Sequence, residues 1–208
     1  VHVISGAAET REAALVLLLI CRAHHSVDCA FDMAWSHGQI VLRLLNATEA
    51  DTQVYGRLAG AMLYAHARHR AAPSIIARNR LGPPGLWRFG ISGDLPILLV
   101  RIGDVKRMER VAEALRAHAY WRMKGLAVDL VIINEDFSGY RATLNDAIMS
   151  AIAAGPDASM LDKPGGVFVC RIEQLSEDDH ILLQAMARVV LTDTEEPLGE
   201  QVDRRVTP

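Results

Sequence analysis

The sequence predicts an α/β fold: a small parallel sheet of three to four strands with crossover helices, preceded by a bundle of about three helices. Three observations carry this. Four short apolar runs, "LPILLVRI" at 95–102, "LAVDLVII" at 126–133, "GVFVCRI" at 166–172 and "RVVLT" at 188–192, have the length and continuity of strands buried on both faces. Helical stretches lie between them, and strand–helix alternation requires right-handed crossovers between parallel strands. From about residue 7 to residue 80 the sequence reads helical.

Taken in order, "VHVIS" at 1–5 reads as a short strand. Thr10 caps a helix running to about His24, whose "AALVLLLI" at 13–20 is too short to span a bilayer and reads as a core helix. Ser26 or Asp28 opens a second helix through Leu45. Thr48 caps a third, with Asp51 three positions on as in a capping box, and Val54, Leu58, Met62 and Ala65 share its packed face. Pro83-Pro84 between glycines makes 78–87 a loop. A helix follows from about Val105 to Lys124, closed by Gly125, and another spans about 140–154 before Gly155-Pro156. Ser176-Glu177-Asp178-Asp179 is an acidic helix start, and that helix runs to about Ala187. These elements divide the chain into a helical segment (1–80), an α/β domain (81–193) and a polar linker (194–208).

Composition narrows the function classes. Half of the 208 residues are hydrophobic and 23% are charged, enough to bury a core. The formal net charge of −3 gives no basic footprint for nucleic acid. Cys21, Cys29 and Cys170 lack CxxC spacing, and the histidines lack a zinc-type spacing, so no metal site and no cofactor is expected.

In open parallel sheets, ligands bind outside the carboxyl ends of the strands. Those ends carry Asp104, Asn134-Glu135-Asp136, Glu173, Ser176 and Asp193. Such a rim suits a cation or sugar hydroxyls, or simply caps helix N-termini. In "GLWRFGISGDLP" (85–96) the glycines precede a strand, so a dinucleotide loop fails. There Trp87 and Phe89 are either a sugar platform or, the favoured reading, a buried plug, and Trp121 and Tyr120 read as core. No nucleophile motif is present and no catalytic residue is assigned.

The stretches "ETREAALVLL", "ARNRLGPPGLWRFGISGDLPILLVRI", "LRAHAYWRMKGLAVDLVIINEDFSGY" and "DKPGGVFVCRIEQLSEDDHILLQAMARVVL" together resemble the large bacterial cyclic β-1,2-glucan synthases. Local departures are Arg88-Phe89, Pro83-Pro84 and Phe137. The resemblance implies an internal fragment of a hexosyl-transferring inner-membrane protein, lying on the cytoplasmic side and preceding a cellobiose-phosphorylase-like module. Residues 1–5 would then be a remnant of an upstream β-sandwich. Its implied partners are neighbouring modules of the same polypeptide and β-1,2-glucan, with the segment itself outside the membrane. The expectation is a non-catalytic structural or carbohydrate-contacting module, with Trp87, Arg88, Asp94, Asn134, Glu135, Asp136 and Tyr140 as candidate contacts. The alternative is an α/β enzyme domain acting on a sugar phosphate or nucleotide sugar at the acidic rim.

Overall fold

The computed structural model describes residues 7–21, 24–136 and 141–203. The strand expected at 1–5 lies outside them. The chain divides into two compact units, 1–46 and 47–208. The first contains helices α1 (Arg11–Cys21) and α2 (His24–Leu44). Leu15, Val16, Leu17, Leu19 and Ile20 of α1 are exposed, which corrects the core-helix expectation. A helix apolar on every side needs neighbours all round, and α1 packs on α2 alone within its unit.

The second unit opens with α3 (Glu49–Tyr64), whose expected capping box is present. The Asp51 N–H donates to Thr48 Oγ1 (3.2 Å), and the Thr48 N–H donates back to the Asp51 carboxylate (2.8 Å). Its buried face is Tyr55, Leu58, Ala61 and Met62. Ala65 is not part of that face, because it is the C-cap, held left-handed at φ 49°. After α4 (Pro73–Arg78), the expected loop is a 3-10 turn at Pro83–Phe89.

Four strands follow: β1 (Ile97–Ile102), β2 (Asp129–Asn134), β3 (Val167–Arg171) and β4 (Val189–Thr192). All pair in parallel, in the order β3-β2-β1-β4, with Leu98 opposite both Leu130 and Val189, and Leu130 opposite Val167. The connecting helices are α5 (Met108–Met123), α6 (Arg141–Ala154) and α7 (Glu177–Met186), and α8 (Leu198–Asp203) follows β4.

The pleat sends alternate side chains to opposite faces, and each face has its own core. Leu98, Val100, Ile102, Leu130 and Ile132 pack with α3, α5, α6 and α8. Ile97, Leu99, Val131, Ile133 and Phe168 pack with Leu86, Ile91 and α7. This division follows from handedness: the chain steps outward through β1, β2 and β3, then returns past β1 to β4. A right-handed crossover in the reverse direction lies on the other face. Within the first core, Trp121 is buried as expected, and its indole N–H donates to the Tyr55 carbonyl (2.9 Å), tying α5 to α3. The tail expected as a polar linker contains α8, whose Leu198 and Val202, four residues apart, are buried. Arg57 pairs with Asp203 at 2.5 Å.

Asp129, at the amino end of β2, has no exposed surface. One carboxylate oxygen accepts the Gly165 N–H (2.7 Å), and the other has no partner among the described residues. Burial raises its pKa, the nearby Asp94 adds to the rise, and the Gly165 N–H and His118 only partly oppose it. A raised folded pKa means the group favours folding below its unfolded pKa and loses that contribution as pH climbs through the folded value. Asp129→Asn is therefore expected to raise the urea midpoint at pH 7, with the difference from the parent shrinking at pH 4. An unchanged or lowered midpoint at pH 7 would contradict a strained buried charge.

Candidate functional site

The carboxyl-end rim exists as expected, but its carboxylates are committed. At the switch point between β1 and β4, Asp193 Oδ2 accepts the N–H groups of Gly103 (2.8 Å) and Asp104 (3.3 Å). A protein carboxylate thus occupies backbone donors that could otherwise face a ligand anion. Asp104 in turn accepts the Lys106 N–H (2.9 Å) and caps the 3-10 turn leading into α5. Asp136 and Glu173 are also engaged.

The "NED" run is divided by the pleat. Asn134 shares the face of Leu130 and Ile132, and its side-chain oxygen accepts the Asp136 N–H (3.0 Å). Glu135 turns to the other face, where it pairs with Arg101 (2.7 Å) and His180 of α7 (3.0 Å). Burial pushes the Glu135 carboxyl up, but the bonds and charges of His180 and Arg101 outweigh it and hold it below the ordinary range. Arg101 also reaches Gln184 Oε1 (3.3 Å). The signal for this network was a lone arginine inside the apolar "ILLVRI". Its partner Glu135 stands just past the end of β2, remote in sequence, which no local pattern reveals.

Trp87 is 64% exposed, which corrects the buried-plug reading. Leu86 and Ile91 are fully buried in its place, with Phe89 partly buried against the same core. The tight 3-10 turn points adjacent side chains in different directions, so Leu86 enters and Trp87 leaves. The Trp87 indole N–H donates to the Ser92 carbonyl (3.2 Å), which fixes the exposed ring. Arg88 pairs with Asp179, the capping-box residue of α7, and its guanidinium lies 4.9 Å from the centre of the Phe89 ring.

Asp94 sits elsewhere. It is exposed in the turn before β1 and lines an open cleft of about 430 Å³ at the amino ends of β1 and β4, with Arg70, Arg188, Met62 and Leu63. The strand length of about 20 Å separates that end of the sheet from the rim at 134–136. The structure therefore places the candidates in three locations: Trp87 and Arg88 on the 3-10 turn, Asn134, Glu135 and Asp136 on the rim, and Asp94 in the cleft. Tyr140 lies outside the described residues. Sequence reasoning missed Arg70 and Arg188, which come together only through the fold. Among the described residues no group of metal-ligating side chains stands together, and no helix is long and apolar enough to cross a membrane. Cys170 is buried, and burial pushes its thiol up to about 11, so it is inert at neutral pH.

No family model matches the chain. Among curated proteins, it is 27% identical over 172 residues to the cyclic beta-(1,2)-glucan synthase NdvB of Rhizobium meliloti (strain 1021). That stretch covers 82% of this chain and 6% of the length of the synthase. The similarity supports, at the family level, the resemblance carried by the motifs.

Proposed function

We propose that this chain is a non-catalytic, carbohydrate-contacting module of a cyclic β-1,2-glucan synthase, a small part of a much larger hexosyl-transferring polypeptide. The observation that supports the non-catalytic part is the state of the rim. Asp104, Glu135 and Asp193 each serve a backbone cap or an ion pair, so among the described residues of the rim no free pair of carboxylates remains for acid–base work. The competing reading, an enzyme acting on a sugar phosphate or nucleotide sugar at that rim, needs carboxylates available to a ligand.

The contacting part rests on Trp87. An exposed indole whose N–H is already bonded presents an apolar, oriented face, which suits the C–H face of a pyranose. The neighbouring Arg88, although paired with Asp179, is half exposed and keeps further guanidinium N–H donors for hydroxyls. Neighbouring modules of the same polypeptide are the other expected partners, on the cytoplasmic side of the membrane that holds the parent protein.

Titration of the chain with linear and cyclic β-1,2-glucans tests this. A saturable change in tryptophan emission is expected, and Trp87→Ala should abolish glucan binding read by calorimetry while leaving the free energy of unfolding within about 0.5 kcal/mol, as befits an exposed site. Flat titrations up to millimolar glucan would remove the contacting role and leave a scaffold.

A further inference from the structure

The cleft at the amino ends of β1 and β4 is left unused by the glucan reading. Its volume, about 430 Å³, falls within the range of small-molecule sites. Two arginines reach it from segments remote in sequence. Arg70 follows the 3-10 turn at 67–69, and one of its terminal nitrogens donates to the Ala185 carbonyl (2.7 Å), which holds the guanidinium without neutralising it. Arg188 stands just before β4, its main-chain N–H bonded to the Ile97 carbonyl (2.9 Å), and its side chain is exposed.

Neither arginine meets a carboxylate among the described residues, in contrast to Arg101, which pairs with Glu135, and Arg122, which pairs with Asp157. Unmatched guanidiniums at a concave site suit an oxyanion, which their planar fork binds through two parallel hydrogen bonds. The one carboxylate of the cleft, Asp94, forms no ion pair with either of them among the described residues. It would repel an all-anionic ligand, so the occupant must bring hydrogen-bond donors to that side. Met62, Leu63, Leu95 and Pro96 add an apolar wall.

We propose that this cleft binds a small phosphorylated polyol of the sugar-phosphate class, with the phosphate between Arg70 and Arg188 and hydroxyls donating to Asp94. The site is independent of Trp87 and of the glucan reading, and either can fail without the other.

Calorimetric titration of the whole chain at low salt, with inorganic phosphate, glucose 6-phosphate and glucose as probes, tests the assignment. Glucose 6-phosphate is expected to bind more tightly than phosphate, and glucose to show no binding. Arg188→Gln should weaken both anions by about tenfold or more, since a charge-assisted pair is lost. Its exposed position leaves folding intact, which circular dichroism would verify. Asp94→Asn should weaken glucose 6-phosphate more than phosphate. No binding of either anion at millimolar concentration, or affinities unchanged in Arg188→Gln, would overturn the site. Equal affinities for phosphate and glucose 6-phosphate would overturn the polyol assignment.

Discussion

Asp157→Ala is expected to destabilise the chain by about 3–5 kcal/mol, because it strips the acceptor from a buried charged network. Asp157 lies in the turn after α6 and is 2% exposed. It accepts from His118 Nδ1 (2.6 Å) and Arg122 Nε (2.7 Å), both on α5. His118 is itself buried, and its other ring nitrogen lies 2.9 Å from the Val128 carbonyl, at the entry to β2. Both ring nitrogens thus face oxygen acceptors. Removing the carboxylate leaves a buried donor and a half-covered guanidinium without their partner. The urea midpoint measures the loss, and a change below about 1 kcal/mol would show that the network adds nothing.

The same residue sets an acid limb. Burial, the largest influence, raises the Asp157 pKa, but hydrogen bonds and charges from His118 and Arg122 overcome it, and the net direction is downward. A depressed folded pKa contributes stability above the unfolded value, about 3.9 for an aspartate, and loses it as pH falls through the folded value. The parent should therefore weaken as pH drops below about 4, and Asp157→Asn should flatten that limb. A variant with the parent's acid dependence would place its origin elsewhere.

Gly166→Ala is expected to cost at least about 3 kcal/mol, at the upper end of overpacking effects. Gly166 leads into β3. Its N–H donates to the Lys163 carbonyl (2.9 Å), and its carbonyl accepts the Leu130 N–H of β2 (2.9 Å). An added Cβ would overlap the Met160 carbonyl oxygen and lie 2.8 Å from that of Lys163. Both obstacles are backbone, so no side chain can rotate aside. The adjacent Gly165 is a milder case: at φ 72° it adopts a left-handed conformation, and Gly165→Ala should cost about 1–2 kcal/mol. Soluble yield and thermal midpoint of the two variants provide the comparison. Equal effects would mean that the segment relaxes around the new methyl group. The double glycine of "DKPGGVF" is, on this geometry, a demand of packing rather than of ligand binding.

Most of the local structure was legible because its causes are local. The capping box at Thr48, the acidic helix start at Ser176, the helix stop at Gly125 and the four strand runs were each readable from a few neighbouring residues. The misreadings share a cause. The residue type of Trp87 predicts burial, but a one-position difference within a 3-10 turn sends Leu86 inward instead. Helix α8 carries no local signature, because only two of its six residues are buried and its apolar pair finds its partner only in α3.

The sequence by itself determined the long helices and the four strands in their order, the parallel direction of the strands and the family likeness. Those follow from periodicity, capping chemistry and the handedness of crossovers, all carried along the chain. The tertiary structure alone decided the strand order, with β1 between β2 and β4, and therefore which residues meet. It parted Asp94 from Asn134 by the length of a strand, turned Glu135 away from Asn134 through the pleat, and set Arg70 and Arg188 on the wall of one cleft. Pairing partners and side-chain facing depend on contacts between residues far apart in the chain, and no short window of sequence contains them.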